Sequence, residues 1–196
     1  MDGVRILTVC SGNICRSPFA EFLLRDRLTK VGNFSIASAG TIAGKDYSMT
    51  AEMERLSVEN GLDPSSHKSS YLVEGNLREA DLILAMTRDQ RRHIVELLPS
   101  AVGKTFTLRE FARLSSVIGE EELNELTNSK TAGEGIAKLI SAVSRQKAYL
   151  PVPMDASEYD IIDPYKKDRE TYAQAVAEII SAVEPTVRVL SLAKSF

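Results

Sequence analysis

A cysteine and an arginine six positions apart, Cys10 and Arg16, enclose the short run Ser11-Gly12-Asn13-Ile14-Cys15, and Ser17-Pro18 follows. A thiol with a pKa of about 8.5 is mostly protonated at neutral pH, but a helix N-terminus or a nearby arginine lowers that value by several units. Backbone N–H groups from Ser11 to Ser17 can curl around a tetrahedral anion, with the positive end of a following helix aimed at it. Gly12 and Asn13 are the residue types that accept left-handed backbone angles, which a tight nest requires. The planar fork of Arg16 can hold two anion oxygens and stabilise the spread charge of a phosphoryl transition state. The Ser17 hydroxyl can hydrogen-bond the Cys10 sulfur and help it depart in a second step. The chemistry implied is attack by sulfur on a bound phosphate monoester. The competing reading is a buried structural cysteine in a turn.

Attack on a phosphate ester expels an alkoxide or phenoxide, so the leaving oxygen needs a proton. A carboxylic acid on a loop can give it and then activate water. Asp163 fits, because it precedes Pro164, which biases it towards extended backbone. The competing reading is a turn or cap aspartate. Asp155 and Asp160 are the other aspartates of that irregular 155–164 segment.

These residues need a frame. Residues 4–9 are short, apolar and β-branched, as in a buried parallel strand. Ser17-Pro18 opens a helix expected to reach about Val31, with proline allowed in the first turn. Further strands are expected at 34–38, 80–86 and 104–107, and helices at 50–60, 89–98 and 108–113. Strands alternating with helices predict an α/β three-layer sandwich, a four-stranded parallel sheet with helices on both faces. Right-handed crossovers put the strand C-termini on one edge, where open α/β sheets bind ligands, and Cys10 stands there. From about 114 to 157 no strand is expected; helices at 120–126 and 136–149 predict a helical insertion. A periodic helix runs from Thr171 to Ile180, and Pro185 limits or kinks it.

Bulk composition narrows the classes. A chain of 196 residues suits one α/β domain, taken as 1–196. The formal net charge of −3 argues against nucleic acid as a partner. Arg88, Arg91 and Arg92 read as a solvated helix face, and His93 as a surface residue of the same helix. No secretory leader and no stretch as long as a membrane span is expected, so no membrane partner either. Two cysteines make neither a disulfide scaffold nor, without clustered histidines, a zinc site; they suit a reducing, cytoplasmic compartment. No metal and no cofactor is expected.

The string Cys10 to Pro18 resembles the phosphate-binding loop of the low-molecular-weight protein-tyrosine-phosphatases. The likeness extends to Ser38-Ala39-Gly40-Thr41, Ser66-His67-Lys68, Ala80 to Met86 and Asp163-Pro164-Tyr165. The resemblance implies a cysteinyl-phosphate intermediate, with Cys10 as nucleophile, Arg16 as phosphate clamp and Asp163 as general acid. It implies that Asn13, Ser17, Ser38 and His67 hold the loop in shape. It implies that Tyr165 lines the substrate pocket. A second aromatic often follows there in the family; here Lys166 stands instead, and Tyr47 is the aromatic nearest the opposite wall. It further implies that Cys15 can pair reversibly with Cys10 and protect it from irreversible oxidation.

The expected partner is a phosphotyrosine protein, and the expected assembly a monomer or weak homodimer. Three alternatives stand beside this. Arsenate reduction on the same fold needs relay cysteines in its thioredoxin-coupled form, and only Cys15 is present. Protein-arginine phosphatases resemble the chain too, with threonine at the position of Ile14, whose apolar side chain suits a phenyl ring instead. A phosphate-binding module without catalysis would be expected to lack the cysteine, the arginine or the aspartate. The 114–157 insertion could serve as a lid, a dimer contact or a docking surface.

Overall fold

The computed structural model describes residues 3–119, 121–123, 129 and 131–192. Its sheet is fully parallel, with β1 (Val4–Cys10), β2 (Phe34–Gly40), β3 (Leu82–Ala85) and β4 (Thr105–Thr107) in the order β2-β1-β3-β4. The near-continuous apolar run of β1 suits its central place, because both of its faces are covered. Val4, Ile6 and Cys10 face one core together with Leu82, Leu84 and Met86, whereas Leu7 and Val9 face the other with Ile83 and Ala85. The period of two sorts the two cores.

Helix α1 (Arg16–Leu28) follows β1 directly, and ten of its thirteen residues are buried. It shares the first core with α2 (Ala51–Glu59), α5 (Leu108–Ser115), α6 (Ala132–Arg145) and α7 (Arg169–Leu192). The short α3 (Glu74–Glu79) and α4 (Arg88–Leu97) cover the opposite face through Leu77 and Ile94. This is the expected sandwich.

Several boundaries differ from expectation. Helix α1 stops at Leu28 rather than Val31, β2 runs on to Gly40, and β3 is confined to 82–85. The sequence reading held no counterpart of α3, whose Glu-Gly-Asn-Leu-Arg-Glu has a single apolar residue to mark it. Helix α7 begins earlier and passes through Pro185 to Leu192. Proline removes one intrahelical hydrogen bond, but Ala182, Val183, Val189 and Leu190 on either side of it are buried and hold the helix to the core.

In the insertion, α6 starts at Ala132, four residues earlier than expected, because the Thr131 side chain accepts from the N–H of Glu134 at 3.1 Å. It ends at Arg145, and a 3-10 turn covers 146–148. Of the helix expected at 120–126, residues 121–123 are helical and the rest lie outside the described residues. Ile136, Leu139, Ala142 and Val143 are buried in the first core. Helix α6 borders a groove with Asp81 and Lys104, which immediately precede β3 and β4. It therefore lies at the N-terminal edge of the sheet, opposite Cys10.

Candidate active site

The C-terminal end of β1 is where the chemistry-bearing residues gather. The loop from Ser11 to Cys15 turns the chain from β1 into α1, and Cys15 and Arg16 open the helix. Asn13 takes the left-handed conformation, with φ of 53°. Gly12 does not, contrary to expectation, since Gly61 is the one described glycine with positive φ. Gly40 carries the close approach instead. A Cβ there would lie 2.5 Å from the carbonyl oxygen of Ser11 and 2.9 Å from the nitrogen of Asn13. The glycine of Ser-Ala-Gly-Thr thus lets β2 pass against the loop, and the N–H groups of Thr41 and Ile42 donate to the carbonyls of Cys10 and Ser11, each at 3.0 Å.

A hydrogen-bond network of fixed polarity surrounds the sulfur. The backbone N–H of Ser70 donates to Asn13 Oδ1 at 2.8 Å, which settles the orientation of the amide. Asn13 Nδ2 therefore donates to both Ser17 Oγ (3.0 Å) and Ser38 Oγ (2.8 Å). Each hydroxyl, having accepted, keeps its proton for another partner. Ser17 donates to Cys10 Sγ at 3.0 Å, and Ser38 donates to the carboxylate of Glu21. Glu21 is buried on α1 and pairs with Arg25. The Asn13 N–H also points at Cys10 Sγ, at 3.2 Å.

His67 closes the network from below. Its Nε2 lies 2.7 Å from the Asn13 carbonyl oxygen, which can only accept, so the histidine donates. Burial holds the His67 pKa below its ordinary value, with the bond to Asn13 opposing in part. A neutral histidine here is a brace.

Arg16 is 3% exposed, and its guanidinium reaches across to the 155–164 segment. Nη2 donates to Asp163 Oδ2 at 2.6 Å and Nη1 to the carbonyl of Ile161 at 3.1 Å. Asp163 Oδ1 accepts from the N–H of Tyr165 at 3.2 Å. Cys10, Arg16, Ser17, Asn13, Ser38, His67 and Asp163 are thus brought together. The other two aspartates have partners of their own: Asp155 caps the turn at 156–159 through the N–H of Ser157, with the Ser157 hydroxyl and N–H holding its carboxyl low, and Asp160, which also lines the cleft over the loop, pairs with Arg88.

A cleft of about 460 Å³ lies over the loop, lined by Ser11, Arg16, Ile42, Gln90, Ile162 and Asp163 among others. Gln90 donates from Nε2 to Ser11 Oγ at 3.0 Å. Neither Tyr47 nor Tyr165 lines this cleft. The Tyr47 ring packs over Gly44, and the half-exposed Tyr165 ring has the Lys166 ammonium 5.2 Å from its centre. The apolar residues at the cleft are Ile42, Ile161 and Ile162. Exposed His93 borders it as well. The arginine cluster of α4 is not one solvated face: Arg88 binds Asp160 and Arg91 donates to the Thr105 carbonyl, leaving Arg92 paired with Asp89 on the surface.

Cys10 and Cys15 are both free, buried thiols. Cys15 Sγ lies 3.4 Å from Thr50 Oγ1 and 3.9 Å from the Tyr172 hydroxyl. Burial pushes its pKa up, against the two hydroxyl contacts. No group of three or more histidine, cysteine or acidic side chains able to hold a metal exists among the described residues.

Sequence reasoning missed Glu21, Gln90, Ile42, Ile162 and the Ser70 N–H. An acidic residue inside the apolar stretch Phe19-Ala20-Glu21-Phe22 was a readable signal. A main-chain donor leaves none.

Comparison with known proteins agrees with this geometry. Residues 5–124 match the family model described as low molecular weight phosphotyrosine protein phosphatase. The chain is 42% identical over 108 residues to the low molecular weight protein-tyrosine-phosphatase Ptp of Acinetobacter johnsonii, covering 55% of this chain and 74% of that one. It is 37% identical over 107 residues to the protein-arginine-phosphatase of Geobacillus stearothermophilus, covering 55% of this chain and 70% of that one. The YwlE arginine phosphatase structure from the same organism superposes with a TM-score of 0.68 at 27% identity, over 95% of this chain and 92% of that one. A low molecular weight protein tyrosine phosphatase structure from T. tengcongensis gives 0.67 at 26%, over 95% and 99%. The chain with its sulfur at the end of β1 belongs to the low molecular weight phosphotyrosine protein phosphatase family.

Proposed function

We propose that the protein hydrolyses phosphotyrosine in phosphoproteins through a cysteinyl-phosphate intermediate. The observation that carries this is the contact of Arg16 with Asp163, which joins residues 147 apart at the mouth of the loop that Cys10 opens. In the first step the Cys10 thiolate attacks phosphorus, Arg16 and the loop N–H groups hold the equatorial oxygens, and Asp163 gives its proton to the departing phenolic oxygen. In the second step Asp163 takes a proton from water as the water oxygen attacks phosphorus. The P–S bond breaks, and the Ser17 hydroxyl stabilises the returning thiolate. Ser11, Gly12, Ile14 and Cys15 complete the cradle. Asn13, Ser38 and His67 hold it, and the exposed Tyr165, whose N–H bonds Asp163, and Tyr47 are the aromatics offered to the substrate. The apolar Ile14, Ile42 and Ile162 suit an aryl leaving group.

The steps draw on the chain's own residues alone, within a single domain, and suit a cytoplasmic enzyme. When a peroxide oxidises Cys10 to its sulfenic acid, the Cys15 thiol, on leaving Thr50 and Tyr172, can attack that sulfur and release water, and the resulting disulfide would spare the nucleophile from over-oxidation. The test is turnover of p-nitrophenyl phosphate and of a phosphotyrosine peptide, with a phosphoarginine peptide and arsenate-dependent thiol oxidation in parallel. Cys10→Ser abolishes turnover. Asp163→Asn slows it by about 10²-fold or more on the peptide, within the usual reach of general acid catalysis. Faster hydrolysis of phosphoarginine than of phosphotyrosine transfers the assignment to the arginine phosphatases.

A further inference from the structure

The residues just before Asp163 are held from three helices at once. Arg88, the first residue of α4, donates from its backbone N–H to Asp160 Oδ1 at 2.7 Å, and its guanidinium donates to both carboxylate oxygens, the shortest contact being 2.9 Å to Oδ2. Arg109 on α5 donates to the Asp160 carbonyl at 3.0 Å. Glu178 on α7 accepts the Ile162 N–H at 3.0 Å. The Ile161 N–H donates to the Met86 carbonyl at 2.8 Å, and the Ile161 carbonyl receives Arg16. The main-chain groups from the Asp160 carbonyl to the Ile162 N–H thus all have partners outside the segment.

This anchoring is unusual for a surface segment, where backbone groups ordinarily turn to water. Nothing in it serves burial alone, since Arg88 and its partner Asp160 sit at the surface and exposed pairs contribute little to stability. It does fix where Asp163 begins. Proton transfer to a departing oxygen needs hydrogen-bond distance, and a displacement of about 1 Å at a catalytic group is costly in rate.

We infer that Asp160 and Glu178, with Arg88 and Arg109, are positioning residues that set the reach of the Asp163 carboxyl towards the leaving oxygen. The inference rests on Asp163 being the general acid. Asp160 ties the segment to α4 and Glu178 ties it to α7, on opposite sides of Ile161, with Arg109 in contact with the Asp160 carbonyl and 3.9 Å from Glu178.

The test compares two aryl phosphates that share the loop chemistry and differ in their need for a proton. Phenyl phosphate expels a basic phenolate, whereas 2,4-dinitrophenyl phosphate expels an anion stable without one. In Asp160→Ala and Glu178→Ala, kcat/KM on phenyl phosphate falls by about tenfold, inside the range of general acid catalysis, while kcat/KM on the dinitrophenyl ester falls by less than about twofold; this ratio reports the steps up to the cysteinyl-phosphate, before Asp163 activates water. Glu178→Gln keeps a carbonyl oxygen for the Ile162 N–H and retains most of the wild-type rate. Equal losses on both esters would mean general damage and overturn the inference, as would no loss on either. Asp163→Asn serves as the control. If it shows the leaving-group dependence and the two alanine variants do not, the inference alone fails. If Asp163→Asn itself shows none, the acid is misassigned and the inference falls with it.

Discussion

At the scale of single residues, the direction of one amide decides which proton faces the sulfur. Asn13 accepts from the Ser70 N–H and donates to two hydroxyls, so Ser17 has its proton free for Cys10. Asn13→Asp tests this with little change of shape, because aspartate also tolerates the left-handed conformation at φ of 53°. The introduced carboxylate would draw the Ser17 proton to itself and add negative charge beside the thiolate. Turnover of p-nitrophenyl phosphate should fall by about tenfold or more, the usual size of a lost hydrogen bond to a charged group. Unchanged turnover would show that the Ser17 donor does not support the sulfur. Cys10, Arg16 and Asp163 were legible in the sequence because their types announce chemistry. Gln90 was not, because an amide beside three arginines reads as ordinary surface until the fold turns it inward.

At the scale of elements, the strands and the helix after the loop were legible from apolar runs and from Ser17-Pro18. The path of α7 through Pro185 was not, because burial on both sides outweighs a local breaker, and such packing has no local signature. Helix α6 was expected, but its place was not. Its apolar face enters the core at the N-terminal edge of the sheet, far from the loop, so its contribution is to stability. Leu139 is fully buried there. Leu139→Ala should lower the unfolding free energy in urea by about 2–5 kcal/mol, the range for a leucine truncated in a core, with kcat on p-nitrophenyl phosphate within about twofold of wild type. A large loss of kcat in the still-folded variant would place α6 in the catalytic cycle, as a lid would require.

At the scale of the whole molecule, the brace under the loop couples folding to pH. The folded His67 has its pKa lowered by burial, so the unfolded chain binds the proton more tightly. The stability it contributes is present above the unfolded value of about 6.5 and is lost as pH falls below it, through the depressed folded value. Thermal melts between pH 7.5 and 5 should show a falling Tm, and His67→Asn should flatten that fall. An unchanged slope would assign the acid sensitivity to the carboxylates. Among the described residues no helix is long and apolar enough to cross a membrane. The partners of the loop, from Gly40 and Ser70 to Glu21 and His67, are all supplied by the protein's own packed elements. A cradle finished in advance answers to the shape and charge of an oxyanion, whoever carries it. The proposed reaction releases inorganic phosphate, which has that shape and charge, so added phosphate should raise the KM for p-nitrophenyl phosphate.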